Sequence, residues 1–319
     1  MNSFISRRNL VAKTMQQLRH QTMLSSLKSA ANLGYFKDDY SQLFLRSKKK
    51  LLPIMNRGTW ARVFSIRSIL LRFLNAYQNA DKVNIMIPGA GYDTTFFCLQ
   101  DLMREQKIPQ NLQGKITVIE IDFFEVISKK IQIIKKHQNL VDMIRLESEQ
   151  DIEVIHEKHI NSHQYKVFCQ DIREIELLQT NMANLGVDFN APTLVITECL
   201  LVYLKKAESD SILKGLSQIF QSDLVYVNYE MIHPGDAFGR VMIENLEILR
   251  MKEQGGMSSA DCYNMSQIYA KRLESTERHR IEKLEIFDEF EEWELLSKHY
   301  CLCLGKRIAE PSIDEQIII

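Results

Sequence analysis

Short runs of apolar and β-branched residues alternate with stretches of helical periodicity from Lys82 to about residue 229. The runs are almost continuously hydrophobic, as strands buried on both faces of a sheet must be. Five of them are found, at 83–87, 116–121, 166–170, 193–199 and 224–229. Parallel strands need long crossover connections, which are usually helical. The alternation therefore predicts an α/β fold with a doubly wound, mostly parallel sheet.

The pattern changes after the fifth run. A charged, methionine-rich stretch at about 231–280 predicts a helical insertion, and two further strands are predicted at 281–286 and 299–304. These strands would complete a sheet of about seven strands. Residues 1–80 have helical tendency and no strand-like run, so we expect a helical N-terminal segment at 1–80 and a core at 81–319.

The expected N-terminal segment is strongly basic. Residues 1–62 contain 12 lysines and arginines and only two acids, although the whole chain has a net charge of -1. Three interpretations remain open: a helical face that docks on the acidic remainder, a field that draws an anionic substrate, and nucleic-acid binding. Nucleic acid is disfavoured, because neither an aromatic RNA-binding stripe nor a zinc-finger spacing accompanies the charge. The acid-free first 37 residues are also compatible with a mitochondrial transit peptide.

The cysteines and histidines give little sign of a metal centre. The six cysteines form no C-x-x-C pair and no zinc-ribbon spacing, which predicts thiols in a reducing, cytoplasmic compartment. Cys301 and Cys303 alternate within a predicted strand and should share one buried face. His156, His159 and His163 have helical spacing, but their polar surroundings favour an exposed helix end, so we predict no metal. No apolar run reaches ~18 residues, and no membrane partner is expected.

In an open parallel sheet the ligand binds beyond the carboxyl ends of the strands, so the residues that end each run are examined first. The first run is followed by Gly89-Ala90-Gly91, a turn that lets the backbone approach a ligand closely. Thr94 stands where a dinucleotide-binding fingerprint has its third glycine. This departure, together with the absence of a Tyr-x-x-x-Lys or paired catalytic histidine, disfavours a NAD-dependent oxidoreductase.

Acidic residues follow the next three runs. Asp122 ends the second, where a carboxylate can accept hydrogen bonds from ribose hydroxyls. Asp171 and Ile172 follow the third, where a carboxylate and a backbone N–H can recognise adenine. Glu198 ends the fourth. A nucleoside with a cationic tail and no phosphates suits an acidic edge that lacks a lysine-bearing phosphate loop, and S-adenosylmethionine is such a ligand.

Seven segments resemble the leucine carboxyl methyltransferase family. They are 56–63, 88–97, 120–123, 170–174, 192–204, 228–246 and 299–303. The resemblance implies a monomeric, cytoplasmic enzyme that uses S-adenosylmethionine to methylate the C-terminal leucine carboxylate of the type 2A protein phosphatase catalytic subunit. A related branch acts on the modified base wybutosine in transfer RNA and carries an added Kelch propeller. This chain is expected to be too short for such a propeller.

The resemblance also implies roles for particular residues, carried over by matched position. Arg62 is placed at the methionine carboxylate and the active centre, and Lys28 is matched, with an offset of one residue, to an N-terminal lysine of the family. The remaining implied cofactor contacts are Gly89, Asp122, Asp171, Ile172 and Glu198.

Methyl transfer from a sulfonium to a carboxylate needs no general base, because a C-terminal carboxylate is already ionised at pH 7. We expect Arg62, Lys28 and the Tyr203 hydroxyl to hold the incoming carboxylate in near-attack geometry. The basic N-terminal segment would then act as a lid. Two alternatives remain: a methyltransferase acting on another protein tail or a small carboxylate, and a non-catalytic binder, which the complete residue set disfavours.

Overall fold

The computed structural model describes residues 22–45, 50–145, 155–156, 158–232, 251–252 and 254–319. Eight strands of this part of the chain form one sheet. They are β1 (Val83–Pro88), β2 (Ile116–Asp122), β3 (His159–Asn161), β4 (Tyr165–Cys169), β5 (Thr193–Glu198), β6 (Leu224–Met231), β7 (Ser259–Asn264) and β8 (Tyr300–Arg307). Their order in the sheet is β3-β4-β2-β1-β5-β6-β8-β7.

The five strands from β4 to β6 in this order pair in parallel, whereas β3, β8 and β7 pair antiparallel with their neighbours. The chain runs outward from β1 through β2 and β4 and then returns to β5 on the other side of β1. Strand order therefore reverses between β1 and β5, and this switch point is where open α/β sheets bind ligands.

Helices cover both faces of the sheet, which confirms the doubly wound prediction. They are α1 (22–32), α2 (Ser41–Phe44), α3 (Pro53–Ala76), α4 (Thr95–Arg104), α5 (Phe124–Lys136), α6 (Gln138–Arg145), α7 (Ile175–Asn184), α8 (Lys206–Ile219), α9 (Met265–Lys271), α10 (Ser275–Glu282), α11 (Phe290–Lys298) and α12 (Pro311–Asp314). One buried cluster takes side chains from α1, α3 and α5, and a second takes them from α7 and α8. Successive residues of β1 alternate between the two clusters, as the pleat of a strand requires.

The described part of the N-terminal segment consists of helices and turns, and it shares the first cluster with the sheet. None of the described helices is both long enough and apolar enough to cross a bilayer.

The sheet has eight strands rather than the expected seven, and the errors lie after the fifth run. The strand predicted at 281–286 is wrong. The chain is helical up to Glu282, and of the apolar residues in 281–286 only Ile281 is buried, whereas Ile286 is 92% exposed. The insertion at 231–280 is not wholly helical, since β7 lies within it. Both β7 and β3 are edge strands of mostly half-exposed residues, so neither has a hydrophobic run to reveal it. Residues 233–250 lie outside the described part.

The histidine-rich stretch is not a helix end, which corrects the expectation for it. His159 begins β3, and its ring stacks on that of His156 with centroids 4.2 Å apart. His163 lies beyond β3, with Nε2 3.1 Å from the Gly114 carbonyl oxygen. The histidine spacing suggested a helix here. Residues three and four apart in sequence can, however, also lie on either side of a tight turn between antiparallel strands.

Two cysteines form a disulfide, so the expectation that all six are thiols is wrong for this pair. Cys262 of β7 lies directly opposite Cys303 of β8, and the structure bonds their sulfurs. Because β7 was not recognised in the sequence, this pairing was hidden. Cys301 and Cys303 share a buried face as predicted, each only 1% exposed.

Candidate active site

The loop that follows β1, residues 89–94, is named the cofactor loop because the sequence predicts a cofactor contact at Gly89. Gly89 and Gly91 adopt φ angles of 66° and 57°, a left-handed conformation that side-chain-bearing residues rarely adopt. The amides of Gly89 and Ala90 both donate to the Ile121 carbonyl, at 2.8 and 3.1 Å. These bonds tie the start of the cofactor loop to the end of β2.

Asp122 holds the same loop with its side chain. Its Oδ2 accepts from the Gly91 amide at 2.8 Å and its Oδ1 accepts from the Phe123 amide at 2.7 Å. Its carbonyl accepts from the Gln170 amide at 3.0 Å, which draws the end of β4 alongside. The carboxyl ends of β1, β2 and β4 thus meet at Asp122, where the sequence predicted the ribose to bind.

Asp171 and Ile172 come directly after β4 at this edge. Asp171 accepts from the Arg173 guanidinium, with Nε 2.9 Å from Oδ1. Burial tends to raise the pKa of Asp171, but the hydrogen bonds from Arg173 outweigh burial and hold the pKa below its usual value. Ile172 is buried and packs in the second cluster.

Arg62 and Glu198 form an ion pair between α3 and the end of β5. The guanidinium Nε lies 3.2 Å from Oε2 of Glu198, and the two side chains are 8% and 22% exposed. Burial tends to lower the pKa of Arg62, but Glu198 together with Tyr229, Cys199 and Tyr300 outweighs burial and places the pKa above its ordinary value. Arg62 Nη2 is buried and has no hydrogen-bond partner among the described residues. An unsatisfied guanidinium nitrogen is costly unless a ligand pairs with it.

Two cavities adjoin this ion pair. The smaller, about 80 Å³, is lined by Gly89 and Glu198, and the larger, about 360 Å³, is lined by Arg62 and Tyr203. Met23 of α1 lines both. Glu198 lines the smaller cavity and Arg62 lines the larger, so their ion pair connects the two cavities. Helix α1 lies against both cavities.

The larger cavity is mainly apolar and aromatic. Its apolar and aromatic lining includes Ile54, Met55, Ala61, Tyr229, Met265, Trp293, Leu296 and Tyr300. The rings of Tyr229 and Tyr300 stack with centroids 5.4 Å apart, and Arg62 lies 5.8 Å from the Tyr229 ring centroid. Burial raises the pKa of both phenols, so they stay protonated at neutral pH. Tyr203 is 44% exposed.

Of the predicted site residues, Arg62, Tyr203, Gly89 and Glu198 line the two cavities, whereas Asp122, Asp171 and Ile172 line neither, and Lys28 lies elsewhere. Lys28 Nζ donates to the Leu45 carbonyl at 2.7 Å, and Lys28 lines neither cavity. Its role at the cofactor stays a prediction. Sequence reasoning missed Tyr229, Tyr300 and Trp293 as cavity residues. The family-like segments at 228–246 and 299–303 carry two of them, whereas Trp293 lies on α11, outside every family-like segment.

The fold and the site define a class. A doubly wound sheet with a glycine turn after β1, an acid at the end of β2 and no lysine in the turn is the arrangement of S-adenosylmethionine-dependent methyltransferases. The model of the family "Leucine carboxyl methyltransferase" matches residues 8–217.

Relatives cover most of the chain. A leucine carboxyl methyltransferase 1 homolog of Arabidopsis thaliana is 35% identical over 295 residues, which cover 87% of this chain and 85% of that protein. Leucine carboxyl methyltransferase 1 of Bos taurus is 33% identical over 295 residues, with 86% and 84% covered. The tRNA wybutosine-synthesizing protein 4 of Homo sapiens is 27% identical, covering 93% of this chain but 44% of that protein. This chain therefore belongs to the leucine carboxyl methyltransferase family, and it is a carboxyl methyltransferase.

Proposed function

We propose that the chain methylates the carboxylate of the C-terminal leucine in the catalytic subunit of type 2A protein phosphatases. The observation that carries the proposal is the buried Arg62 guanidinium, which lines an apolar cavity of about 360 Å³ and has one nitrogen, Nη2, without a partner in the described part of the chain. A terminal leucine presents the matching chemistry, because its carboxylate pairs with a guanidinium and its side chain suits an apolar cavity.

The described residues fit the cofactor. The Gly89 and Gly91 conformations let the backbone come close to a ligand, and Glu198 and Arg62 offer opposite charges to the ammonium and carboxylate of a methionine group. We place the ribose at Asp122 and the adenine between Asp171 and Ile172. When bound, S-adenosylmethionine supplies the electrophilic methyl group of its sulfonium.

The protein's contribution to the chemistry is orientation and removal of water. The acceptor carboxylate has a pKa of about 3.5 and is therefore ionised at pH 7. No side chain has to remove a proton from it. Arg62 would orient one carboxylate oxygen and leave the other free to accept the methyl group, with S-adenosylhomocysteine as the leaving group. Tyr229 and Tyr300 remain protonated and can donate hydrogen bonds, while Tyr203 stands at a more exposed position. Orientation of this kind supplies up to ~7–11 kcal/mol in favourable systems.

The N-terminal segment is proposed as the lid of this site, separate in role from the core at 81–319. Met23 of α1 lines both cavities, and Gly34 follows the end of α1 with a φ of 82°. Action as a monomer is part of the proposal and rests on the family resemblance alone. A cytoplasmic location is also proposed: the Cys262–Cys303 disulfide counts against it, whereas the other four cysteines, which form no disulfide, count in its favour.

The test is a transfer assay with methyl-labelled S-adenosylmethionine and three acceptors: the intact phosphatase catalytic subunit, a mixture of small carboxylic acids, and transfer RNA. The proposal predicts label on the phosphatase alone, released as methanol in mild alkali because a methyl ester is base-labile. Alkali-stable label on the phosphatase would show a different acceptor atom and contradict it. Label on the small acids or on transfer RNA, with none on the phosphatase, would also contradict it.

A further inference from the structure

A buried lysine lies against the cofactor loop, and nothing in the proposed reaction uses it. The side chain of Lys130, on α5, is fully buried, as is that of its ion-pair partner Glu120 on β2. Lys130 Nζ also donates to the Asp93 carbonyl at 2.7 Å. In the sequence, Lys130 is one of several lysines of an amphipathic helix. Its neighbour Lys129 is exposed in the structure.

Stability does not explain this pair. Two charges taken fully out of water lose their hydration, and well-packed apolar side chains of similar volume often serve a core as well or better. Burial raises the pKa of Glu120 to about 7, with Lys130 acting in the opposite direction. What an apolar side chain at 130 could not provide is the hydrogen bond to the Asp93 carbonyl.

That hydrogen bond completes the attachment of the cofactor loop to β2. The start of the loop is held by the Ile121 carbonyl, and its middle is held at Gly91 by Asp122. At its far end, the Asp93 carbonyl is linked to β2 through Lys130 and Glu120, beside a second hydrogen bond from Thr94 Oγ1 to Asp38 at 2.8 Å. Glu120 and Asp122 are two residues apart on one strand and thus hold two different points of the same loop.

We propose that Lys130 is a positioning residue for cofactor binding, which fixes the far end of the cofactor loop through the Asp93 carbonyl without touching the cofactor. The inference rests on the proposed placement of S-adenosylmethionine at this loop, and it is independent of which carboxylate is methylated. Without the ammonium, the loop would sample other conformations, and the cofactor would have to select the competent one.

The test measures the Kd of S-adenosylhomocysteine by calorimetric titration for the wild type, for Lys130→Met and for the matched control Lys129→Met. Each titration is run below the melting temperatures of all three proteins. We expect Kd to rise at least tenfold for Lys130→Met and to stay within twofold for Lys129→Met. In transfer assays, KM for S-adenosylmethionine should rise in Lys130→Met, while KM for the acceptor carboxylate is unchanged. If Lys130 had only a structural role, Lys130→Met would lower the melting temperature but would not raise KM for S-adenosylmethionine while leaving KM for the acceptor unchanged.

The double variant Lys130→Met/Glu120→Gln guards against misfolding, because it leaves no unpaired carboxylate in the core. It should fold and still bind S-adenosylhomocysteine at least tenfold more weakly than the wild type. Wild-type affinity in the folded double variant would overturn the positioning role alone. Failure of the wild type to bind S-adenosylhomocysteine would instead overturn the cofactor placement, and the positioning role with it.

Discussion

Arg62 lies on α3, buried, with its Nε 3.2 Å from the Glu198 carboxylate at the end of β5. The resemblance to a known family predicted both residues as part of the site. It did not predict that they pair, because the contact depends on how α3 packs over the sheet. It also did not predict that one guanidinium nitrogen is left without a partner. At the scale of single residues, the sequence predicts which residues belong to the site. It does not predict the ion-pair and hydrogen-bond partners of those residues.

Replacing Arg62 with Ala should lower kcat/KM by about 10²–10³-fold, because truncating one partner of a buried charge pair costs about 2–5 kcal/mol. The variant leaves Glu198 without its cation and the acceptor carboxylate without its anchor. Steady-state methyl transfer, with circular dichroism to verify folding, measures the effect. Arg62→Lys is the matched control and should recover only part of the activity, since an ammonium lacks the planar fork of a guanidinium. Near-normal transfer by a folded Arg62→Ala would remove Arg62 from the mechanism.

A substitution at Gly58 separates stability from substrate fit. A Cβ at this helical position would lie 3.7 Å from Cζ3 of Trp293, an ordinary contact within the larger cavity. Gly58→Ala should raise stability by up to about 1 kcal/mol, since alanine favours helix. It should also raise KM for the phosphatase several-fold by narrowing the cavity, with cofactor Kd unchanged. An unchanged phosphatase KM would show that the tail binds elsewhere.

The rate of the methyl-transfer step should be flat between about pH 6 and 9. The pKa of Arg62 lies above its ordinary value, the phenol pKa values of Tyr229 and Tyr300 are raised by burial, and the acceptor is ionised throughout. Single-turnover rates with both substrates saturating measure this. The pKa of Glu120 is itself raised to about 7, so a sigmoidal or bell-shaped profile with an apparent pKa near 7 that persists in Glu120→Gln would reveal a general base and contradict the mechanism.

Secondary-structure elements were predictable in proportion to how completely they are buried. The five parallel strands stand out because nearly every residue is buried, as the burial of β1 shows at all six positions. The edge strands β3 and β7 have no such run, and the alternation at 281–286 belongs to a helix end and a loop. The contacts that hold α1 were beyond prediction, since they join residues far apart in the chain. Arg280 of α10 donates to the carbonyls of Gly34 and Tyr35 at 2.7 and 2.6 Å.

Arg280→Ala should therefore loosen the end of α1. Loss of two charge-assisted hydrogen bonds should cost about 1–2 kcal/mol of unfolding free energy, and amide exchange should quicken at 22–45 more than in the sheet. Exchange followed by mass spectrometry measures both regions in one experiment. Lys283→Ala, a change at an exposed position close by, is the control. Equal exchange in the two variants would mean that Arg280 does not anchor this segment.

At the scale of the whole molecule, the sheet puts its switch point beneath the cofactor loop, and α1 lies against both cavities. The sheet class and the edge that carries the site followed from the sequence, since buried parallel strands leave few topologies. The division into two cavities did not, because it is created by packing α3 and α11 against the strand ends. The two cavities proposed for the cofactor and the acceptor therefore meet at one ion pair.

Cofactor binding should consequently stabilise the whole protein and the covering helix together. S-adenosylhomocysteine at 100 times its Kd should raise unfolding free energy by about 2.7 kcal/mol through mass action. Amide exchange should slow at 22–32 and in the cofactor loop beyond the global effect. Protection spread evenly over the chain, without excess at α1, would contradict the lid.

The central claim is tested most directly by removing one residue from the acceptor. Methyl transfer should be measured on the intact phosphatase catalytic subunit and on the same subunit lacking its terminal leucine, with the modified residue located by mass spectrometry. The account predicts one methyl group on the carboxylate of the terminal leucine, and no transfer to the shortened subunit. Equal methylation of both forms, or a methyl group on any other residue, would contradict it.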